Sequence, residues 1–354
     1  MKILFFTLEY PPFKGGIANY YYNLVKHAPK EHEVSVLHNN DKELIGPRPL
    51  KWLRAFKALK KEIKKKKPHV VVGHILPLGT VVYLLSFFYN FKYSLVLHGM
   101  DIEYAKQRMC KAFLAKKILK KASVIICNSH YVAGITEEFL GEKYKNKIKT
   151  LNPGVPRLPI GDFQLTNKIN NNKLILLTLG RLVKRKGVDM VIKAMPEIVK
   201  EVPRLEYYIA GVGPDEEYLK KEKEKLPENI QEKIHFLGEV SEDEKWQYLR
   251  KCDIFIMPNR EIAGDCEGFG IVFLEANLAG KPVIGGKSGG TADAILDHET
   301  GILVDGESAD EILDAVILFA RDIVQRIEVG DKGMKRALSC FRWQDKAKEF
   351  YKFL

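Results

Sequence analysis

Apolar residues along this chain fall into two alternating rhythms. Short runs rich in Val, Ile, Leu and Phe occupy residues 3–7, 34–38, 70–72, 95–97 and 124–127. Each is followed by a longer stretch in which apolar positions return every three or four residues. Short β-branched runs read as buried strands, and strands separated by helical stretches are βαβ units, which build a parallel sheet. A second series repeats the pattern at 174–179, 205–210, 234–237, 253–257 and 282–284. Between the two, residues 151–172 are rich in Pro and Gly and then in Asn, with Pro153, Pro156 and Pro159 close together. That composition predicts an interdomain linker. A chain of 354 residues also exceeds one core of ordinary size, so the expectation is an α/β protein of two domains, divided at 160/161.

Two segments stand apart from the strand rhythm. Trp52, Leu53, Phe56, Leu59 and Ile63 recur at helical spacing, with Lys57, Lys60, Lys61 and the run 64–67 over the remaining surface. This predicts an amphipathic basic helix. The most apolar stretch, 75–91, is interrupted by Pro77, Gly79, Ser86 and Asn90 and reads as a buried helix rather than a membrane span. The N-terminus has one Lys and then polar Thr7 and Glu9, so it reads as a first strand rather than a signal peptide.

Charge sharpens the division. Of the net +12, residues 1–160 carry +17 (28 Lys and Arg against 11 Asp and Glu) and the rest −5 (29 against 34). A basic half suits nucleic acid, an anionic membrane or phosphorylated ligands, and composition does not choose among them. Cys110, Cys127, Cys252, Cys266 and Cys340 are odd in number and far apart, which suggests neither a disulfide framework nor a zinc site and fits a reducing cytoplasm.

Candidate chemistry lies at the strand ends. The first strand leads through Gly15 and Gly16 into a helix, either a phosphate cradle of backbone N–H groups or a plain turn. The strand at 95–97 runs into His98, where the ligand crevice of an open α/β sheet lies. The strand at 174–179 leads into a basic turn, 180–187, in which Arg181 and Lys186 could neutralise a diphosphate. In 267–276, EGFGIVFLEA, Glu267 precedes an apolar helix and Glu275 lies about two turns later. Carboxylates accept hydrogen bonds from sugar hydroxyls, and two at this spacing can hold two polyols of one ligand.

These pieces, with Asn128-Ser129, the NPGV at 152–155, Gly211 and Gly213 before Pro214, the FLG at 236–238, the SGG at 288–290 and the GILV at 301–304, resemble glycosyltransferase family 4 over nearly the whole chain. The resemblance implies a GT-B fold, two Rossmann-like domains (1–160 and 161–335) facing each other across a donor-binding cleft, and a C-terminal segment, 336–354, whose helix at 343–354 crosses back to the first. It implies that Arg181 and Lys186 bind the donor diphosphate and Glu275 the ribose. Glu267 and the amides of Gly268, Phe269 and Gly270 would bind the sugar, with Ile271, Val272 and Gly213 completing the donor site. Gly15 and Gly16 would meet a phosphate, and His98 the reaction centre.

The implied activity is retaining hexosyl transfer from a nucleotide-sugar to a hydroxyl acceptor, with no cofactor and no metal. Asp265-Cys266-Glu267, the nearest approach to an Asp-x-Asp site, overlaps the sugar-binding element. The segments 267–276 and 288–295 look like the branch containing mannosyltransferases that act on phosphatidylinositol, which ranks GDP-mannose ahead of UDP-sugars. A lipid-linked acceptor at the cytoplasmic face of an anionic membrane follows as an expectation. A sugar-nucleotide epimerase is the nearest alternative. A dinucleotide-dependent oxidoreductase lacks its G-x-G-x-x-G turn, and nucleic acid lacks interleaved aromatic and basic residues.

Overall fold

The computed structural model of the protein describes residues 1–13, 15–40, 44–46, 51–156 and 173–354. The expected boundary at 160/161 and most of the expected linker lie outside the described residues. Two compact units emerge, Met1–Gly154 joined by Trp343–Leu354, and Val155–Arg342.

In the first unit, β1 (Lys2–Phe6), β2 (Glu33–Leu37), β3 (His69–Val72), β4 (Tyr93–Leu97), β5 (Ile125–Cys127) and β6 (Ile148–Thr150) form a six-stranded sheet in the order β2-β1-β3-β4-β5-β6. Every pairing is parallel. A parallel sheet is covered on both faces, so its strands are near-continuous apolar runs. Accordingly β3 and β4 are buried throughout. Along β1 the side chains divide by parity, Leu4 and Phe6 packing with Leu59 and Leu78 on one face, Ile3 and Phe5 with Tyr21 and Phe350 on the other.

The second unit repeats the plan with β7 (Leu174–Leu179), β8 (Leu205–Ala210), β9 (Ile234–Gly238), β10 (Ile254–Met257), β11 (Val283–Gly286) and β12 (Gly301–Val304). Its order is β12-β11-β10-β7-β8-β9, again all parallel. Renumbered from its own first strand this is 3-2-1-4-5-6, the dinucleotide-binding order, whereas the first unit follows the flavodoxin-like 2-1-3 beginning.

The chain returns to the first unit by the helix Trp343–Phe353, whose buried Trp343, Ala347, Phe350 and Tyr351 form one helical stripe. Phe350 stacks on Phe5 at 5.8 Å, and the Tyr351 hydroxyl donates to the Leu24 carbonyl at 3.1 Å. A Cβ on Gly154 would stand 2.6 Å from the Trp343 ring, so glycine is what lets the chain pass there. The helix Trp343–Phe353 is the one expected at 343–354; only the boundary at 335/336 differs, since residue 336 lies inside the helix Ile323–Cys340 of the second unit.

Three other readings change. The edge strands β6 and β12 were not expected as strands, being three and four residues long and, for β6, only half-buried. In the basic helix Leu53–Lys66, Ala55, Leu59 and Ile63 are buried, but Leu53 is exposed. The apolar stretch 75–91 contains the helix Leu78–Leu85 with Leu78, Val81, Val82 and Leu85 buried, whereas Leu84, Phe87 and Phe88 are exposed.

Candidate functional site

The order of the second sheet reverses between β7 and β10, and ligands of open α/β sheets bind outside the carboxyl ends of strands at such a point. The loops leaving these two strands are stitched together. Gly187 sits at φ 74°, and a Cβ there would meet the Pro258 carbonyl at 2.1 Å. The Arg260 N–H donates to the Arg185 carbonyl at 2.8 Å, while the Arg260 guanidinium pairs with Asp189 at 2.7 Å, both side chains buried. Gly213 presses from the loop after β8, where a Cβ would lie 2.1 Å from the Leu182 carbonyl. Its observed contribution is this close backbone packing.

That stitching brings two cations onto one carboxylate oxygen. Lys186 Nζ lies 2.5 Å and Arg185 Nη1 2.8 Å from Glu267 Oε2. Arg185 Nε is 3.0 Å from Asp265 Oδ1, a charge contact without hydrogen-bond alignment. Burial pushes the Glu267 pKa up, but Lys186 and Arg185 outweigh it and hold the carboxyl down at about 2. The Glu267 backbone is fixed as well. The Gly290 N–H donates to its carbonyl at 2.8 Å, and a Cβ on Gly289 would stand 2.1 Å from that oxygen. Buried Asn259 braces the same corner, accepting from the Gly286 N–H at 3.2 Å and donating to Thr291 Oγ1 at 2.8 Å.

Gly270 begins the helix Ile271–Leu278 at φ 86°, with no side chain capping its first N–H groups. A helix start left open in this way favours negative or hydroxyl-rich ligands. Phe269 and Val272 are buried in an apolar cluster with Phe273 and Phe341, so they offer the crevice backbone rather than side chain; Ile271 is half-buried. Glu275 is buried and bonds a different cation, Lys245 Nζ at 2.8 Å, which also holds Glu242 at 2.6 Å. Burial raises the Glu275 pKa against the pull of Lys245. The two glutamates thus occupy separate ionic environments. Arg181 is exposed, and its side chain bonds no described residue.

In the first unit the order reverses between β1 and β3. Beyond the carboxyl ends of β1, β3 and β4, His74 Nε2 lies 3.8 Å from Glu9 Oε1, the Asp101 carboxylate accepts from the His98 N–H at 3.1 Å, and His98 Nε2 is 3.1 Å from the Tyr21 hydroxyl. Tyr20 and Tyr21 meet the His98 ring edge-on at 5.2 and 5.7 Å. Burial, aided by His74, pushes the His98 pKa down to about 3. His98 is therefore a neutral hydrogen-bonding group at neutral pH, not a cation.

Gly15 precedes the helix Gly16–Lys26, and around Gly16 a Cβ would meet nothing within 4 Å. Packing does not require glycine at position 16. Gly16→Ala is accordingly expected to leave the melting temperature unchanged or slightly raised, since Ala favours a helix over Gly by about 1 kcal/mol. If donor phosphate approaches this backbone, the same variant should lose nucleotide-sugar affinity in calorimetry. Unchanged affinity would remove Gly16 from the site.

Arg185, Lys245, Asn259 and Arg260 were not singled out from the sequence. Arg185 was legible as the neighbour of Lys186 in one basic turn, whereas no spacing connects Lys245 to Glu275, which is thirty residues away.

Comparison with known proteins gives these strand-end clusters a family. The model described as "Glycosyltransferase Family 4" matches residues 14–157, and "Glycosyl transferases group 1" matches 162–336. The GDP-mannose-dependent alpha-(1-6)-phosphatidylinositol monomannoside mannosyltransferase of Mycobacterium tuberculosis is 36% identical over 181 residues, 51% of this chain and 46% of that protein. The chain thus spans about half the length of the curated relatives it matches first. Among solved structures, sucrose-phosphate synthase from Thermosynechococcus elongatus superposes with a TM-score of 0.81 at 19% identity, covering 99% of this chain and 98% of that one. Anabaena HepE, in complex with UDP-glucose, gives 0.78 at 18% identity, covering 99% and 98%. Two consecutive family models take in most of the sequence and the fold agrees from end to end: the chain belongs to glycosyltransferase family 4 and has the GT-B fold.

Proposed function

We propose that the protein transfers a hexosyl group, mannose from GDP-mannose, to a hydroxyl of a lipid-linked acceptor, with retention of anomeric configuration and without a metal ion. The observation that carries this reading is the pairing of Arg185 and Lys186 with Glu267 at the carboxyl ends of β7 and β10. A donor diphosphate arriving there competes for the two cations, and exposed Arg181 adds a third. The cations then balance the charge that grows on the diphosphate as the sugar–oxygen bond breaks, the place where preorganised electrostatics lower a barrier most. Glu267, released from them, becomes an acceptor for hydroxyls of the transferred sugar. Glu275, on its own cation, is the partner for ribose. His98, neutral, serves the reaction centre as a hydrogen-bonding group. Mannose and the lipid-linked acceptor are supported by the Mycobacterium tuberculosis relative's name; the UDP-glucose bound by HepE supports UDP-sugars as the second reading.

Radiolabelled GDP-mannose and UDP-glucose, offered with phosphatidylinositol-containing vesicles and excess EDTA, test the proposal. Label should pass to the lipid from GDP-mannose, with turnover nearly unchanged by the chelator. Transfer from UDP-glucose alone would overturn the donor, loss of activity restored by magnesium or manganese would overturn the metal-free step, and an epimerised free nucleotide-sugar would overturn transfer itself.

A further inference from the structure

We propose that the first unit carries an insertion surface for an anionic bilayer, in which Phe87, Phe88, Met109 and Phe113 enter the interface between lysines that hold it. The proposal deepens the lipid-acceptor reading and rests on its membrane half, not on the identity of the donor. These four side chains are 60%, 75%, 91% and 66% exposed, and among described large apolar residues only Val324, at 62%, matches them. Phe87 and Phe88 lie in the turn that ends the helix Leu78–Leu85, and Met109 and Phe113 on the helix Met109–Lys121 that packs beside it, so the four mark one side of the unit rather than scattered surface exposure.

Met109, Phe113 and Lys117 follow at four-residue intervals along the helix Met109–Lys121, opposite its buried Ala115, Ile118 and Leu119. That helix contains five lysines and no carboxylate. Lys121 ties the turn that bears Phe87 and Phe88 to its end. Its Nζ donates to the Ser86 carbonyl at 3.1 Å and lies 3.9 Å from the Phe87 ring centre, while Lys117 Nζ lies 5.0 Å from that of Phe113. Rings beside long cationic side chains suit the headgroup boundary, where the ring is buried and the ammonium reaches anionic lipid. Charge also selects the occupant, because a second copy of this chain would set lysines against lysines. Among the described residues no helix is long and apolar enough to cross a membrane, so the contact proposed is interfacial.

Co-sedimentation with vesicles of phosphatidylcholine alone or mixed with phosphatidylinositol, at low and high salt, tests the surface on the full chain. Phe88→Ser with Phe113→Ser should weaken partitioning onto mixed vesicles by roughly tenfold or more, at both salt concentrations. Lys117→Gln with Lys121→Gln should weaken it chiefly at low salt. Unchanged GDP affinity in both variants shows that they are folded. In Met109→Trp, the tryptophan emission should shift to the blue on vesicles and be quenched by brominated lipid. If the aromatic variant binds like the parent while the lysine variant does not, insertion is wrong and the charge-based membrane reading stands. If the parent binds neither vesicle, both fall, and a salt-sensitive dimer in sizing would assign the patch to a second copy.

Discussion

Glu267→Gln is expected to lower the rate of sugar transfer by roughly 10-fold to 150-fold while GDP binds at least as tightly as to the parent protein. The carboxylate is one partner in a compact set of charges, and its two cations lose their ligand-free counter-ion when it is removed. A diphosphate then finds Lys186 without its carboxylate and Arg185 left with Asp265 alone, so nucleotide affinity holds or rises. The sugar, whose charge and shape change during reaction, loses an acceptor that matters most in the transition state, and only such interactions raise the chemical rate. Calorimetry with GDP and initial rates with the full donor separate the two effects; loss of GDP affinity would contradict the placement of the sugar at Glu267.

The same variant has an acid signature. The Glu267 carboxyl is held at about 2 in the folded protein against an ordinary 4.5. A lowered carboxylate contributes stability that is fully present above about 4.5 and is lost as pH falls toward 2. The fall in stability across that window should be shallower in Glu267→Gln than in the parent, by urea titration at each pH.

Glu275→Ala should do the opposite to binding. Ribose is common to nucleotide, product and donor, so losing its charge-assisted hydrogen bond should weaken guanosine and GDP alike, by roughly 10-fold to 150-fold. Glu275 also neutralises Lys245, and both side chains are largely buried. Removing one partner of a buried pair costs about 3–5 kcal/mol when the other charge is left alone; Lys245 keeps Glu242, so the cost is smaller, and the ligand-free protein should still melt at a lower temperature. Glu275→Gln, which keeps the volume and one acceptor oxygen, should recover part of the affinity. Guanosine and GDP binding measured on all three proteins decides this; parental affinities in Glu275→Ala would place the ribose elsewhere.

The legibility of this chain follows the physics of parallel sheets. Interior strands such as β3 and β4 announce themselves because both faces are buried, so that nearly every residue is apolar, the buried His69 and Ser94 satisfying each other at 2.7 Å. The edge strand β6, IKT, carries no such run, and β12, GILV, is apolar but only four residues long and opens on glycine. Glycines that admit backbone to backbone, Gly187 against Pro258 and Gly289 against Glu267, stand out only once the loops are seen together. Glu267 and Glu275 were singled out by their spacing, but the cations that pair with them were not equally visible. Arg185 shares a turn with Lys186, while Lys245 reaches Glu275 from the helix Glu242–Lys251. Apolar content also misled where a helix ends. The run 75–91 predicted burial throughout, and the chain instead turns Phe87 and Phe88 outward.

The central claim is that the donor nucleotide binds on the second unit, over the carboxyl ends of β7 and β10. Hydrogen–deuterium exchange of the full chain, with and without saturating GDP-mannose, addresses it without any substitution. Slower exchange is expected in two segments, the basic turn at 180–187 and the element at 267–275, because their amides and cations would hold the diphosphate and sugar. Protection that leaves both segments at their ligand-free rates while appearing elsewhere would contradict the account.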